Sequence, residues 1–153
     1  MSEMESIRDQ LKRSHQGEAW HGPSVREVLE GVSAEQAAAR PLEGAHTIWE
    51  LVLHMVAWIE VARRRLEGEQ IDSLPDEEDF PKISDPGEEA WRQALALLDD
   101  AHARLDETLA RFEESRLADP VPLRKDSYYT MLHGLIQHNA YHAGQIVLLG
   151  KAS

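Results

Sequence analysis

The stretch from residue 68 to 87, GEQIDSLPDEEDFPKISDPG, limits the fold of this chain more than any other. It carries three prolines and a high density of acids, so it reads as an extended connection rather than a long helix or a buried strand. Neighbouring antiparallel helices are usually joined by roughly 2–8 residues. A connection of about twenty residues can span roughly 60 Å, whereas a twenty-residue helix is only about 30 Å long. It can therefore return along a whole bundle, so that the helices on either side of it start at the same end and run parallel.

Those flanking helices are legible in the apolar spacing. Thr47 followed by Glu50 has the pattern of a capping box, and IWELVLHMVAWIEVARRRLEG runs on to Gly68 with Ile48, Leu51, Val52, Met55, Trp58, Ile59 and Ala62 at helical spacing. After the connection, EEAWRQALALLDDAHARLDETLARFEE places Trp91, Leu95, Leu98, Leu105, Leu109 and Phe112 on one stripe. SRLADPVPLRKD links this helix to a last one, which begins near Ser127 and is expected to stop at Gly150. A first, weaker amphipathic segment runs from Ser2 towards Trp20 through Ile7 and Leu11. Gly22-Pro23 breaks it; Ser24 then caps VREVLEG, and Ser33 caps AEQAAAR, which Pro41 ends. Strand signals are nearly missing and no internal repeat is visible. The expectation is one all-α domain over residues 1–153, a four-helix bundle with a long crossover between helices 2 and 3.

Charge narrows the partners. Acidic residues outnumber basic ones 28 to 16, a net charge of −12. Nucleic-acid binders depend on clustered Lys and Arg to neutralise phosphates, so neither nucleic acid nor an anionic membrane surface is expected. The one basic cluster, Arg63-Arg64-Arg65, stands at the end of a helix, where cations complement the dipole. Cysteine is absent, which excludes disulfides, thiolate metal sites and a cysteine nucleophile of the chain's own. No leader and no long apolar run is visible, and a cytoplasmic protein is expected.

The chemistry-bearing feature is LIQHNAYHAGQIVLL, residues 135–149, where His138 and His142 stand four apart on an apolar helix. Side chains at that spacing share a face, with Cβ atoms about 5–6 Å apart, close enough for two imidazoles to converge on one cation at bond lengths of about 2.0–2.1 Å. Gly134, one turn earlier, removes a side chain from the stripe and leaves room; Gln145, one turn later, puts an amide on it. His54, alone on the apolar face of the second helix, is the natural third partner. Three nitrogens with open positions make a catalytic rather than a closed structural site. The competing reading is three separate core histidines, each satisfied by a carbonyl or carboxylate.

The remaining histidines have weaker claims. His133 lies five residues before His138 and points elsewhere; His46 belongs to the helix entry, and His15, His21 and His102 lack a partner at useful spacing. His21 and His46 could still stand at the rim of a site, and Trp20 could line its mouth. Glu50, one turn from His54, is a candidate base, but its capping role competes. Gln145 is the other candidate catalytic side chain. Trp49, Trp58 and Trp91 sit at core spacing; Asn139 and Tyr141 flank the histidine stripe and point away from it. DEEDF reads as a solvated loop.

AHTIWELVLHMVAW, followed much later by LHGLIQHNAYHAGQI, resembles the DinB/YfiT-like family of small four-helix proteins, and AWHGPSVREVLEGVSAEQAAARP resembles that family's N-terminal region. The resemblance implies an up-down-down-up bundle. It implies a divalent metal, nickel or zinc, on His54, His138 and His142, and a homodimer acting on a small-molecule substrate. It further implies one of two chemistries: S-transfer from a low-molecular-weight thiol to an electrophile, or metal-dependent hydrolysis. In the first, the thiolate is the nucleophile; in the second, metal-bound water is, and a nearby general base is wanted. A metal-binding bundle without catalysis is the third reading.

Overall fold

The computed structural model describes residues 1–153, and every regular element in it is helical. Four long helices, α1 (Glu3–Gln16), α4 (Ile48–Leu66), α6 (Glu88–Arg111) and α7 (Tyr128–Ala152), form a bundle. Between α1 and α4 lie two one-turn helices, α2 (Val25–Leu29) and α3 (Ala34–Ala38), and α5 (Asp76–Asp79) lies in the connection between α4 and α6. Ser2, Ser24 and Ser33 each accept the backbone N–H three residues on, and Glu5, Glu27 and Gln36 return the contact, so three starts are closed by capping boxes. Thr47 caps α4 by accepting from the Glu50 N–H, but the expected box is only half formed because the Glu50 carboxylate is drawn elsewhere.

Contacts between the helices fix their directions. Trp49 meets Trp91, Arg104 approaches Glu60, and Thr108 donates to Glu67, so α4 and α6 advance together. Arg8 pairs with Asp106 and His15 with Asp99, so α1 and α6 are antiparallel. His54 faces His138 while the Tyr128 hydroxyl donates to the Arg65 carbonyl, so α4 and α7 are antiparallel as well. This is the up-down-down-up bundle that the resemblance implies, with the long crossover joining its two parallel helices. A single core of 29 buried residues, from Met4 to Leu149, runs through it.

Two boundaries differ from the sequence reading. The final helix does not stop at Gly150 but continues to Ala152, since glycine in a helix costs only about 1 kcal/mol and need not terminate it. The acidic DEEDF stretch is not merely a solvated loop, because Asp76–Asp79 form a helical turn. Four acids at a helix start are favoured by the positive end of its dipole.

His15 and His102, which have no partner at helical spacing in the sequence, find each other across α1 and α6. Their rings stack at 3.9 Å, and both are buried. His15 Nε2 meets Asp99 at 2.8 Å, whose other oxygen holds Arg26, but His15 Nδ1 and His102 Nε2 have no hydrogen-bond partner. Burial pushes both imidazoles below their ordinary value; Asp99 partly offsets this for His15, and His15 lowers His102 further. A depressed folded pKa means that the unfolded chain binds more protons below about pH 6.5. Stability is therefore full above that pH and falls as pH drops below it, by up to about 1.4 kcal/mol per unit for each such imidazole. Urea unfolding of metal-free protein at pH 7.5 and 5.5 should show the loss. His102→Phe, which keeps a ring but cannot take a proton, should show a smaller one; an equal loss would rule His102 out as a source.

Candidate metal centre

The site forms where the first half of α4 crosses the middle of α7. His54 is carried by α4, while His138 and His142 sit one turn apart on α7; His54 and His142 are buried and His138 half-buried. Their Nε2 atoms converge: His138 lies 3.1 Å from His54 and 2.9 Å from His142, and one nitrogen from each ring fits within 4.8 Å. Tetrahedral coordination at bond lengths of about 2.0–2.1 Å separates ligand nitrogens by about 3.3 Å, so little movement would bring all three onto one ion.

The outward nitrogens decide what the inward ones offer. His54 Nδ1 donates to Asp79, whose carbonyl oxygen is 3.0 Å and whose Oδ1 is 2.9 Å away. His142 Nδ1 donates to Oε1 of Gln145 at 2.6 Å. Because both acceptors are oxygens, the Nδ1 atoms carry the protons, and Nε2 of both rings presents a lone pair to the third imidazole. Burial and the two neighbouring histidines push His138 down to about 4, so it is neutral at physiological pH. Three imidazole nitrogens converging at this spacing form a donor set that one divalent cation satisfies at every member once the proton shared among them has left.

Asp79 organises one side of the site. Its Oδ1 also accepts from Trp58 Nε1 at 2.6 Å, so the carboxylate, His54 and Trp58 are locked together. The next residue, Phe80, stacks on His54 at 4.2 Å, and His46 stacks on Phe80 at 3.7 Å. The crossover thus closes over His54 with one acid and one ring. Neither was expected from the sequence; the available signal was Pro75 opening a run of four acids, the pattern of a helix start. Trp58, at core spacing in the sequence, is half-buried and serves this contact. Removing a group that orients a metal-ligating histidine typically costs 10–100-fold in metal affinity. Asp79→Ala should weaken binding by about that factor in competition with a chelating dye, and an unchanged affinity would deny Asp79 the orienting role.

Other sequence candidates fall into place around this centre. Glu50 is tied up by Arg40 and by His46 Nδ1 at 2.9 Å. Burial opposes its charge, but the hydrogen bonds from His46 and Arg40 outweigh that and hold the carboxyl below its ordinary value. It is committed as an anion and is a poor candidate base. Gln145 holds His142 rather than standing free. Gly134 does leave open space, since a Cβ built there meets nothing within 4 Å. Asn139 points away as expected and is buried against α1, where it donates to the Ser14 hydroxyl. His46 stands at the rim through Phe80, while His21 meets only the Pro23 carbonyl and Trp20 is exposed. No helix is long and apolar enough to cross a membrane.

The DinB superfamily model matches residues 19–146, from Ala19 in AWHGP through both histidines of α7, and the chain belongs to that superfamily. No curated protein and no solved structure matches it.

Proposed function

We propose that this DinB-superfamily chain is a metal-dependent enzyme that holds nickel or zinc on His54, His138 and His142 and transfers a small-molecule thiol to an electrophile. The observation that carries the reading is a three-nitrogen site whose neighbouring carboxylates, Asp79 and Glu50, are both already engaged. Hydrolysis wants a free base beside the attacking water. S-transfer wants only a thiolate, whose proton leaves to solvent before the bond to carbon forms. A divalent cation there would supply the positive charge that lowers a thiol's pKa.

The chain's own residues account for the rest. Asp79 and Gln145 fix the tautomers of His54 and His142, and Phe80 shields His54 from water. The side of His138 next to Gly134 is open to reactants. The test is to load the protein with nickel or zinc and supply low-molecular-weight thiols with monochlorobimane, where an S–C bond forms and chloride leaves. Fluorescent adduct that requires both metal and thiol is the expected result. Ester or amide hydrolysis with no thiol dependence would replace this reading with the hydrolase. A loaded site inert to both would leave a metal-binding bundle.

A further inference from the structure

We propose that the groove between α4 and α7 beside His138 binds a small carboxylate, with Arg65 as its anion contact. The inference rests on the proposed function only in taking His138 as the reactive end. The groove is a cavity of about 180 Å³ that His138 and Arg65 both line. Trp58 and Ala62 of α4 and Met131 and Leu135 of α7 make its apolar walls, and Gly134 leaves it open. Because α4 and α7 are antiparallel, Arg65 lies towards the start of α7, opposite Tyr128. From Met131 to His138 the helix rises about 10 Å, which sets the length of a ligand that reaches both ends.

Arg65 is the feature that asks for an anion. Its neighbours in sequence are neutralised, Arg63 by Glu60 and Glu67 and Arg64 by Glu69. Arg65 turns inward instead and is only 6% exposed. Its Nε and Nη2 donate to the carbonyls of Ile71 and Asp72 at 2.9 and 3.0 Å, while the Asp72 carboxylate faces Arg124. Two carbonyls and the Trp58 ring, whose centre is 6.0 Å away, hold the guanidinium in place, but no carboxylate pairs with it and Nη1 has no protein acceptor. A buried charge without an ion-pair partner is costly. A guanidinium binds a carboxylate with strong, directional hydrogen bonds. Apolar walls with one cation at the end fit a compact acid with an aliphatic or aromatic body, carried by either the thiol or the electrophile.

The test uses the metal-free chain, hexanoate and the neutral hexanamide, with the Gly134 amide followed by NMR and affinities measured by titration. Hexanoate should bind at least about tenfold more tightly than hexanamide and shift Gly134. Arg65→Met should remove that preference, and Arg65→Lys, which keeps the charge without the fork, should keep part of it. Arg65→Met could loosen the crossover, so Gly134→Leu is the second variant. It fills the groove from a position where an added Cβ meets nothing within 4 Å, and should abolish hexanoate binding while keeping the fold and the metal content. Equal binding of acid and amide, or unchanged hexanoate binding by Gly134→Leu, would overturn the proposal. On zinc-loaded protein, tighter binding of 6-mercaptohexanoate than of hexanoate places the carboxylate on the thiol, and equal binding places it on the electrophile; both support the site. Metal content separates the two proposals. A chain that takes up no zinc but binds hexanoate sinks the enzymatic reading alone, and one that takes up zinc but not hexanoate sinks the groove alone.

Discussion

His54→Ala, His138→Ala and His142→Ala should each fold and each lose the metal. Every variant removes one of three converging nitrogens and leaves two. The loss in affinity should exceed the 10–100-fold typical of an orienting partner. A ligand at a hundred times its dissociation constant stabilises a fold by about 2.7 kcal/mol. The wild type should therefore melt higher with nickel or zinc added, while the three variants should not respond. In the metal-free state His138 is only half-buried, so the folding cost of its removal should be small. Metal content by mass spectrometry, beside melting with and without added ion, checks both halves. About one ion per chain retained in any single variant would exclude that histidine from the donor set.

Trp91→Ala should cost about 3–5 kcal/mol of folding stability, a large share of the 5–15 kcal/mol available to a domain. Trp91 is 1% exposed, packs tilted against Trp49 at 5.2 Å and donates Nε1 to the Val32 carbonyl at 2.9 Å. One side chain thus joins the start of α6 to the start of α4 and to the turn between α2 and α3. Alanine there removes the ring, opens a cavity and leaves the Val32 carbonyl unpaired. Trp91→Phe keeps most of the packing but not the donor, and should cost about 1–3 kcal/mol for the stranded carbonyl. Urea unfolding of the two variants separates packing from hydrogen bonding; an equal cost would mean that the ring contributes nothing beyond its donor. The same contact marks the parallel run of α4 and α6, so a mild phenotype in both would count against that packing.

Much of this arrangement is visible before folding. Helical periodicity is a property of neighbouring residues, so the four long helices and their apolar faces follow from the spacing of Leu, Ile, Val, Trp and Ala. The crossover's length carries the bundle's topology, because only a long connection lets α4 and α6 start at one end. His138 and His142 share a face by arithmetic, and His54 declares itself as a lone polar side chain on an apolar stripe. Glu50 shows the limit of that method. Its spacing from Thr47 marks a cap and its spacing from His54 marks a base, yet Arg40 and His46 capture it from outside the helix.

The chain by itself determined the helices, their order and the three imidazoles, since each depends on covalent geometry and on residues within a few turns of one another. Tertiary structure alone decided what surrounds them. Asp79 and Phe80 reach His54 from 25 and 26 residues downstream, His15 meets His102 across two helices, and Arg65 parts from Arg63 and Arg64 to face a groove. Such contacts follow where the crossover lies against the bundle and how two helices rotate together. Those are set by the packing of the whole core, and no local period records them.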